Sequence, residues 1–378
     1  MPRAEKTPPE RAAGVKLRAV ALLGKRDEPT DGVRDYCACL GEALSHCGVA
    51  MEAVEVRWDR QGRLAALARL WKQSADWRGR WVLLQYTALM WSGRGFPFIV
   101  PAILWMMKLR GCRTAVVFHD VYTFPGRRWI DRVRIDFQIR IMRHVCRRVE
   151  RAIFPVPVEQ VPWLFSRPAN ASFIPIGANI PSLDDLDQLG ARPEHTAPLA
   201  VAVFSLSEWP SAQKQEIEHI AEAMLQASAT LGPLRLFMLG RGTKEAEPAL
   251  RQALAGSRVE MTVDGLLKSG EITARLCACD ALLFVRGPLT SRRGSGLAGI
   301  ACGLPVVAYE GLETGAPLRD AGILFVPKDD VAALAEQLIR VLQDETLRRT
   351  LAARSIATFR QWFAWDRIAE RFTEVLGG

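Results

Sequence analysis

The sequence predicts an α/β chain of two Rossmann-like domains facing each other across a cleft. Three observations predict it. Short apolar strands alternate with helical segments along nearly all of the 378 residues. A polar, acidic stretch at 182–198 has no hydrophobic period and splits that alternation into two runs of similar length. Charge divides at the same place: residues 1–181 hold 29 Lys/Arg against 16 Asp/Glu, and the remainder holds 21 against 25.

Taking the elements in order, residues 1–14 are dominated by Pro, Glu, Lys and Arg and read as a flexible N-terminus. The first domain is expected over 15–181. Leu17–Leu23 is its opening strand, Asp31-Gly32 lies in the loop that follows, and 34–47 carries a helical period. Further strands are expected at 51–56, 81–85 and 114–118. Residues 127–151 read as one helix with nine arginines, in which Ile130, Val133, Phe137, Ile141, Val145 and Val149 make a core-facing stripe. Beyond the 182–198 linker, the second domain is expected over 199–360. Its strands are 199–204, 235–239, 259–263, 281–285, 305–308 and Ile323–Val326, and its helices 215–230, 245–253, 330–344 and 346–357. The last segment, 361–378, forms an amphipathic closing helix that returns towards the first domain. Ligands of open parallel sheets sit beyond the carboxyl ends of the strands, so two facing sheets place a site in the cleft.

Composition narrows the function classes. Hydrophobic residues make up 49% of the chain, enough for two ordinary cores. No window approaches the roughly 20 apolar residues that span a bilayer, and the N-terminus lacks the apolar core of a secretory signal. Cys37-x-Cys39 and Cys277-x-Cys279 are too closely spaced for a usual zinc pair, so the eight cysteines read as reduced thiols of a cytoplasmic protein. No metal site is expected. No nucleic-acid module is present, and nucleic acid is not an expected partner. The basic first half suits a phosphorylated acceptor or an anionic membrane, while an Arg-rich composition alone would also produce it. The apolar segment 96–107, flanked by Arg94, Lys108 and Arg110, is too short to span but suited to an interface. The arginines of 127–151 form a solvated basic face or a lipid-docking one.

Chemistry concentrates in a few loops. Thr290-Ser291-Arg292-Arg293-Gly294-Ser295-Gly296 runs into a short helix ending at Gly303, followed by a strand from Pro305. A helix start with small residues and two arginines offers unpaired N–H groups and positive charge to a phosphate. Arg292, Arg293, Ser295 and Gly296 are the candidates there. Gly240-Arg241-Gly242, with Lys244 nearby, follows an apolar strand and either holds a diphosphate or makes a tight turn. The third glycine of a dinucleotide fingerprint is absent. Lys214 before a helix is another phosphate candidate. Gly32 lets backbone approach a ligand and equally serves a strand-to-helix turn. His119 closes the strand Ala115-Val116-Val117-Phe118 and is followed by Asp120, which puts it at the ligand-binding edge of the sheet. Asp185-Leu186-Asp187 has the form of a metal motif but falls in the linker, and reads as a solvated acidic run.

In order along the chain, several segments resemble the GT-B glycosyltransferases of the family-4 (group 1) type. They are the Asp31-Gly32-Val33 loop, Phe118-His119-Asp120, Ile174-Pro175-Ile176-Gly177 through Pro181, and Leu239-Gly240-Arg241-Gly242. Ala301-Cys302-Gly303-Leu304-Pro305-Val306-Val307-Ala308, Ala321 through Pro327 and Phe363-Ala364-Trp365-Asp366-Arg367-Ile368-Ala369 complete the set. The resemblance implies a retaining transferase that moves a sugar from a nucleotide-sugar donor to a saccharide or lipid-linked acceptor. Its setting would be bacterial-type polysaccharide or glycolipid biosynthesis. The donor would bind the second domain and the acceptor the first. It implies His119 as the catalytic residue, with Gly32, Lys214, Gly240, Arg241, Arg292, Arg293, Ser295 and Gly296 around the donor phosphates. No cofactor or metal is implied, because arginine, lysine and helix N-termini stabilise the leaving diphosphate. The expected location is cytoplasmic, peripheral on the inner face of the cell membrane. The family's Glu-x7-Glu pair falls on Thr290 and Ala298, neither of which carries a carboxylate. A catalytically degenerate, glycosyltransferase-like binding subunit is therefore the alternative reading, and a GT-B sugar-nucleotide epimerase a third.

Overall fold

A computed structural model describes residues 17–25, 31–123, 129–180 and 198–377. The expected N-terminal tail (1–14), Asp185 and Asp187, and all of the 182–198 linker but Pro198 lie outside the described residues. The chain divides into two compact units. One comprises Met1–Val117, Thr123–Ala152 and Ala369–Gly378, the other Phe118–Tyr122 and Ile153–Ile368.

Six strands form the first sheet among the described residues: β1 (Leu17–Leu23), β2 (Val49–Glu55), β3 (Trp81–Tyr86), β4 (Arg113–Phe118), β5 (Arg151–Phe154) and β6 (Ala171–Phe173). Their order is β2-β1-β3-β4-β5-β6, and β1 pairs in parallel with both β2 and β3. The first crossovers therefore wind in opposite directions from β1. Helices cover both faces of such a sheet, which explains why the whole of β3 is buried and its sequence is almost continuously apolar. The helices are α1 (Gly32–His46), α2 (Trp58–Gln61), α3 (Arg63–Gln73), α4 (Ala88–Trp91), α5 (Ile99–Leu109) and α6 (Trp129–Arg148).

Helix α6 departs from the sequence expectation. It stops at Arg148, and Arg151 opens β5 instead of ending the helix. The cause is Glu150, whose N–H donates to the Thr114 carbonyl while its carboxylate accepts from the Thr114 N–H and from Arg113. That ladder pulls the chain alongside β4. The expected apolar stripe also holds only in the second half, where Val145 and Val149 are buried with Met142 and Cys146. Ile130 and Val133 are exposed, and Gln138 is buried because its amide donates to the Gly95 carbonyl at 2.8 Å.

The second sheet has β7 (Ala200–Phe204), β8 (Leu234–Leu239), β9 (Val259–Gly265), β10 (Ala281–Phe284), β11 (Val306–Tyr309) and β12 (Ile323–Val326), in the order β12-β11-β10-β7-β8-β9. Every neighbouring pair is parallel. Around it lie α7 (Pro210–Leu231), α8 (Thr243–Ala253), α9 (Ser269–Cys277), α10 (Gly294–Ala301), α11 (Val331–Gln343), α12 (Glu345–Thr358) and α13 (Trp365–Gly377). Side chains alternate across the strands. Val201, Val203, Leu283 and Val307 pack with Ile220, Met224, Leu334 and Leu338. Ala202, Leu282, Phe284 and Val306 pack on the opposite face with Leu276, Leu297 and Ile300. Because the strands all run one way, their carboxyl ends share one edge.

The chain is two Rossmann-like sheets with a closing helix, as the sequence predicts. Buried Ile368, Phe372 and Leu376 repeat every four residues along α13. Its last turn belongs to the first unit: Trp81 Nε1 donates to the Leu376 carbonyl at 3.0 Å and Arg151 Nε to the Val375 carbonyl at 2.8 Å.

Candidate functional site

The carboxyl edge of the second sheet gathers the loops after β7, β8, β10 and β11. After β8, Gly240 adopts φ +85 and Gly242 φ +74, and a Cβ at Gly240 would run into Ser205 and Phe204. These glycines are thus required by backbone conformation and close packing. After β7, the Ser207 N–H and hydroxyl both donate to the buried carboxylate of Glu216. Arg286 follows the end of β10. Burial pulls its pKa down, while Glu216 and Glu208 act to raise it and Arg241 to lower it.

The loop before α10 carries the densest charge. Arg292 makes a bidentate ion pair with Glu313, Nε to Oε2 at 2.8 Å and Nη2 to Oε1 at 3.0 Å. Burial works against the Arg292 charge, yet its pKa is raised through the hydrogen bond and charge of Glu313, with Asp120 adding to it. Arg293 has no comparable partner among the described residues. Burial first, then the charges of Arg292 and Arg286, pull it down to about 10. The Nε atoms of Arg286 and Arg293 and the hydroxyl of Thr290 are buried without a hydrogen-bond partner among the described residues. Arg293 also occupies the N-cap of α10, where no side chain caps the helix. Gly296 must be small, since a Cβ there would overlap Leu289, and Ser295 is half-buried beside it. The Ser291 hydroxyl donates to the Pro155 carbonyl.

His119, Asp120 and Tyr122 follow β4 and belong to the same compact unit as this loop. The Arg292 guanidinium lies 5.9 Å from the centre of the Tyr122 ring. Burial raises the pKa of Asp120 against the lowering charges of Arg292 and Arg293. Half-buried His119 is pushed down to about 4 by burial, so it is neutral near pH 7. A neutral imidazole can donate one hydrogen bond and accept another.

Of the residues singled out from sequence, the structure brings together Arg292 and Arg293 with Thr290, Ser295 and Gly296 on one loop. It couples that loop to Asp120, beside His119, and to Arg286, beside Arg241. Lys214 stands apart, exposed and 3.9 Å from Glu218 one helical turn on. Lys244 is tied down, its ammonium donating to the Val263 carbonyl at 2.6 Å. Gly32 opens α1 in the other unit, where the Asp31 carboxylate already accepts from the Val33 and Arg34 N–H groups at 3.2 and 3.1 Å. Ala298 is a core residue, 1% exposed. Sequence reasoning passed over Arg286, Glu313, Glu216 and Tyr122 as site residues. Arg286 had a usable signal, an arginine placed right after an apolar strand. Among the described residues, no three His, Cys, Asp or Glu side chains are grouped to hold a metal ion.

Residues 200–344 match the family described as Glycosyl transferases group 1. Over 167 residues the chain is 29% identical to a GDP-mannose-dependent monoacylated alpha-(1-6)-phosphatidylinositol monomannoside mannosyltransferase of Corynebacterium glutamicum. That alignment takes in 42% of this chain and 43% of the relative's length, so the chain spans less than half of the curated relative it matches. Sucrose-phosphate synthase of Thermosynechococcus elongatus superposes with a TM-score of 0.69 at 17% identity, covering 96% of this chain and 98% of that one. HepE of Anabaena, crystallised with UDP and glucose, superposes with a TM-score of 0.65 at 15% identity, covering 96% and 99%. The chain has the GT-B glycosyltransferase fold and is related to the group 1 family. In this GT-B chain the matched segment runs from β7 to the end of α11, and so contains the arginine loop and the Gly240-Arg241-Gly242 turn.

Proposed function

We propose that the chain is a retaining glycosyltransferase that moves a sugar from a nucleotide-sugar donor to a saccharide or lipid-linked acceptor in polysaccharide or glycolipid assembly. The observation that carries this is the pair of half-buried arginines, Arg286 and Arg293, whose buried Nε atoms have no hydrogen-bond partner among the described residues, with Arg293 at an uncapped helix start. A buried donor without an acceptor is costly, and a diphosphate supplies acceptor oxygens that carry negative charge. The relative's GDP-mannose and the UDP bound to HepE support a nucleoside diphosphate as that anion. Arg293, Arg286, Arg241, Ser295 and the amides at the start of α10 hold the phosphates and stabilise charge on the leaving diphosphate. Neutral His119 orients a hydroxyl of the transferred sugar. The Arg292–Glu313 pair fixes the loop. Calorimetric titration with UDP and GDP tests the site, and a panel of nucleotide sugars assayed for donor hydrolysis tests the chemistry. Failure of every nucleotide to bind would refute the proposal.

The degenerate-subunit reading draws support from Thr290 and Ala298, which put a hydroxyl and a methyl where the family carries glutamates. It requires that no donor is turned over, the chain serving to bind a partner or membrane, and His119→Ala would then leave the biological role intact.

The same proposal places the chain in the cytoplasm, at an anionic membrane surface contacted by its first unit. In support, Trp105 on α5 is 66% exposed and Trp129 on α6 is 75% exposed, among the arginines of α6. Among the described residues no helix is long and apolar enough to cross a membrane. Flotation with phosphatidylserine-containing vesicles at low salt is expected to carry the protein upward. A protein that stays at the bottom of the gradient would sink the membrane claim.

A further inference from the structure

We propose that a second site, in the first unit, binds an acidic saccharide: a sugar ring bearing a carboxylate or a phosphate. A cavity of about 450 Å³ opens at the carboxyl end of β2, walled by α1, α2 and α3. Ligand pockets run from about 300 to 1,000 Å³, so the space suits one or two sugar rings. Buried Val56 and Leu70 pack beneath it, and the surface it exposes is mostly polar, as a hydroxyl-rich sugar requires.

The polar wall is built for an anion. Glu55 accepts from Arg34 through one carboxylate oxygen and from Arg57 through the other, Nε at 3.0 Å and Nη2 at 2.7 Å. One carboxylate thus holds two guanidiniums in the cavity wall. Arg69 on α3 adds a third, and no ion pair among the described residues engages it. Among the described lining residues, three guanidiniums stand against one carboxylate, an excess of two positive charges. The planar guanidinium fork matches carboxylate and phosphate. Gln73 supplies an amide that both donates to and accepts from hydroxyls. The inference rests on the glycosyltransferase reading only in making the acceptor the natural source of this sugar.

The test is calorimetric titration of the full chain with glucuronate, glucose 6-phosphate, glucose and inorganic phosphate, with UDP titrated in parallel. At about 20 mM salt, where screening is weak, glucuronate or glucose 6-phosphate is expected to bind at least about tenfold tighter than glucose or phosphate. Preference between the two acidic sugars tells a uronic acid from a phosphosugar. Arg69→Ala and Gln73→Ala each weaken that binding about fivefold or more, with unchanged thermal midpoints showing that the fold is intact. Glucose binding as tightly as glucuronate, phosphate binding as tightly as glucose 6-phosphate, or indifference to both substitutions would overturn the proposal. Acidic-sugar binding without UDP binding would leave this site standing and defeat the donor reading. UDP binding alone would do the reverse.

Discussion

Replacing Arg293 with methionine is expected to stabilise the unliganded protein while weakening its grip on a nucleoside diphosphate. Arg293 is pulled down to about 10 by burial and by its arginine neighbours. That drop from the ordinary arginine range corresponds to roughly 3 kcal/mol of disfavoured charge. The folded group titrates below the unfolded one. The penalty is therefore fully present at pH 7 and is relieved only as pH rises through about 10 towards the ordinary arginine range. Methionine keeps much of the length and removes the charge. With relaxation of the neighbours, a gain of about 1–2 kcal/mol is expected, or about 2–8 °C in midpoint for a domain of this size. The liganded protein behaves oppositely, because charged hydrogen bonds to phosphate are worth about 1.5–3 kcal/mol and their loss weakens UDP about 10- to 100-fold. Thermal scans with and without UDP, together with titration calorimetry, read both arms. A lowered apo midpoint accompanied by unchanged UDP affinity would refute the reasoning, since Arg293 would then be a structural residue with a counterion of its own.

Other outcomes follow from the same neighbourhood. Glu313→Gln strands the Arg292 charge and should cost about 3 kcal/mol in urea unfolding, with Arg292→Met added in the same chain restoring most of it. For His119, native neutrality against an unfolded value near 6.5 means stability falls as pH drops from about 6.5 to about 4. The total is about 3 kcal/mol, with no effect above that window. Urea midpoints of wild type and His119→Asn should therefore coincide at pH 7.5 and diverge at pH 4.5. Gly296→Ala pushes a methyl into Leu289 at the start of α10 and should cost about 1–3 kcal/mol while weakening UDP. Full retention of both stability and affinity would mean the helix start tolerates movement.

The alternation of apolar runs was enough to read most strands, because the central ones, such as β3 and β10, are buried on both faces and so carry their own signal. Leu17–Leu23 and Ile323–Val326 match their expected bounds. The strand β5 was hidden because its entry depends on Glu150 meeting Thr114, a contact between positions far apart in sequence. Gln138 was hidden for a similar reason, since only a bond to the Gly95 carbonyl makes its burial tolerable. In the candidate site, the arginine loop was legible as residue types. Which arginine is neutralised was not, because Glu313 reaches Arg292 only after β11 has returned to the sheet edge. Lys214 shows the converse, a plausible cation by spacing that the fold leaves in solvent beside Glu218.

The last turn of α13 sets a timing constraint on synthesis. The first unit includes Ala369–Gly378, and the side chains of Trp81 and Arg151 donate to carbonyls of residues 375 and 376. An emerging chain therefore holds an unsealed first sheet, with an indole N–H and a guanidinium awaiting acceptors, throughout translation of residues 153–368. At roughly 5–20 residues per second, that interval lasts on the order of ten to forty seconds. During it the nascent N-terminal portion exposes the apolar seat later filled by Phe372 and Leu376, a natural target for holdase chaperones. The second unit, complete by Ile368, is expected to finish first even though it is made later.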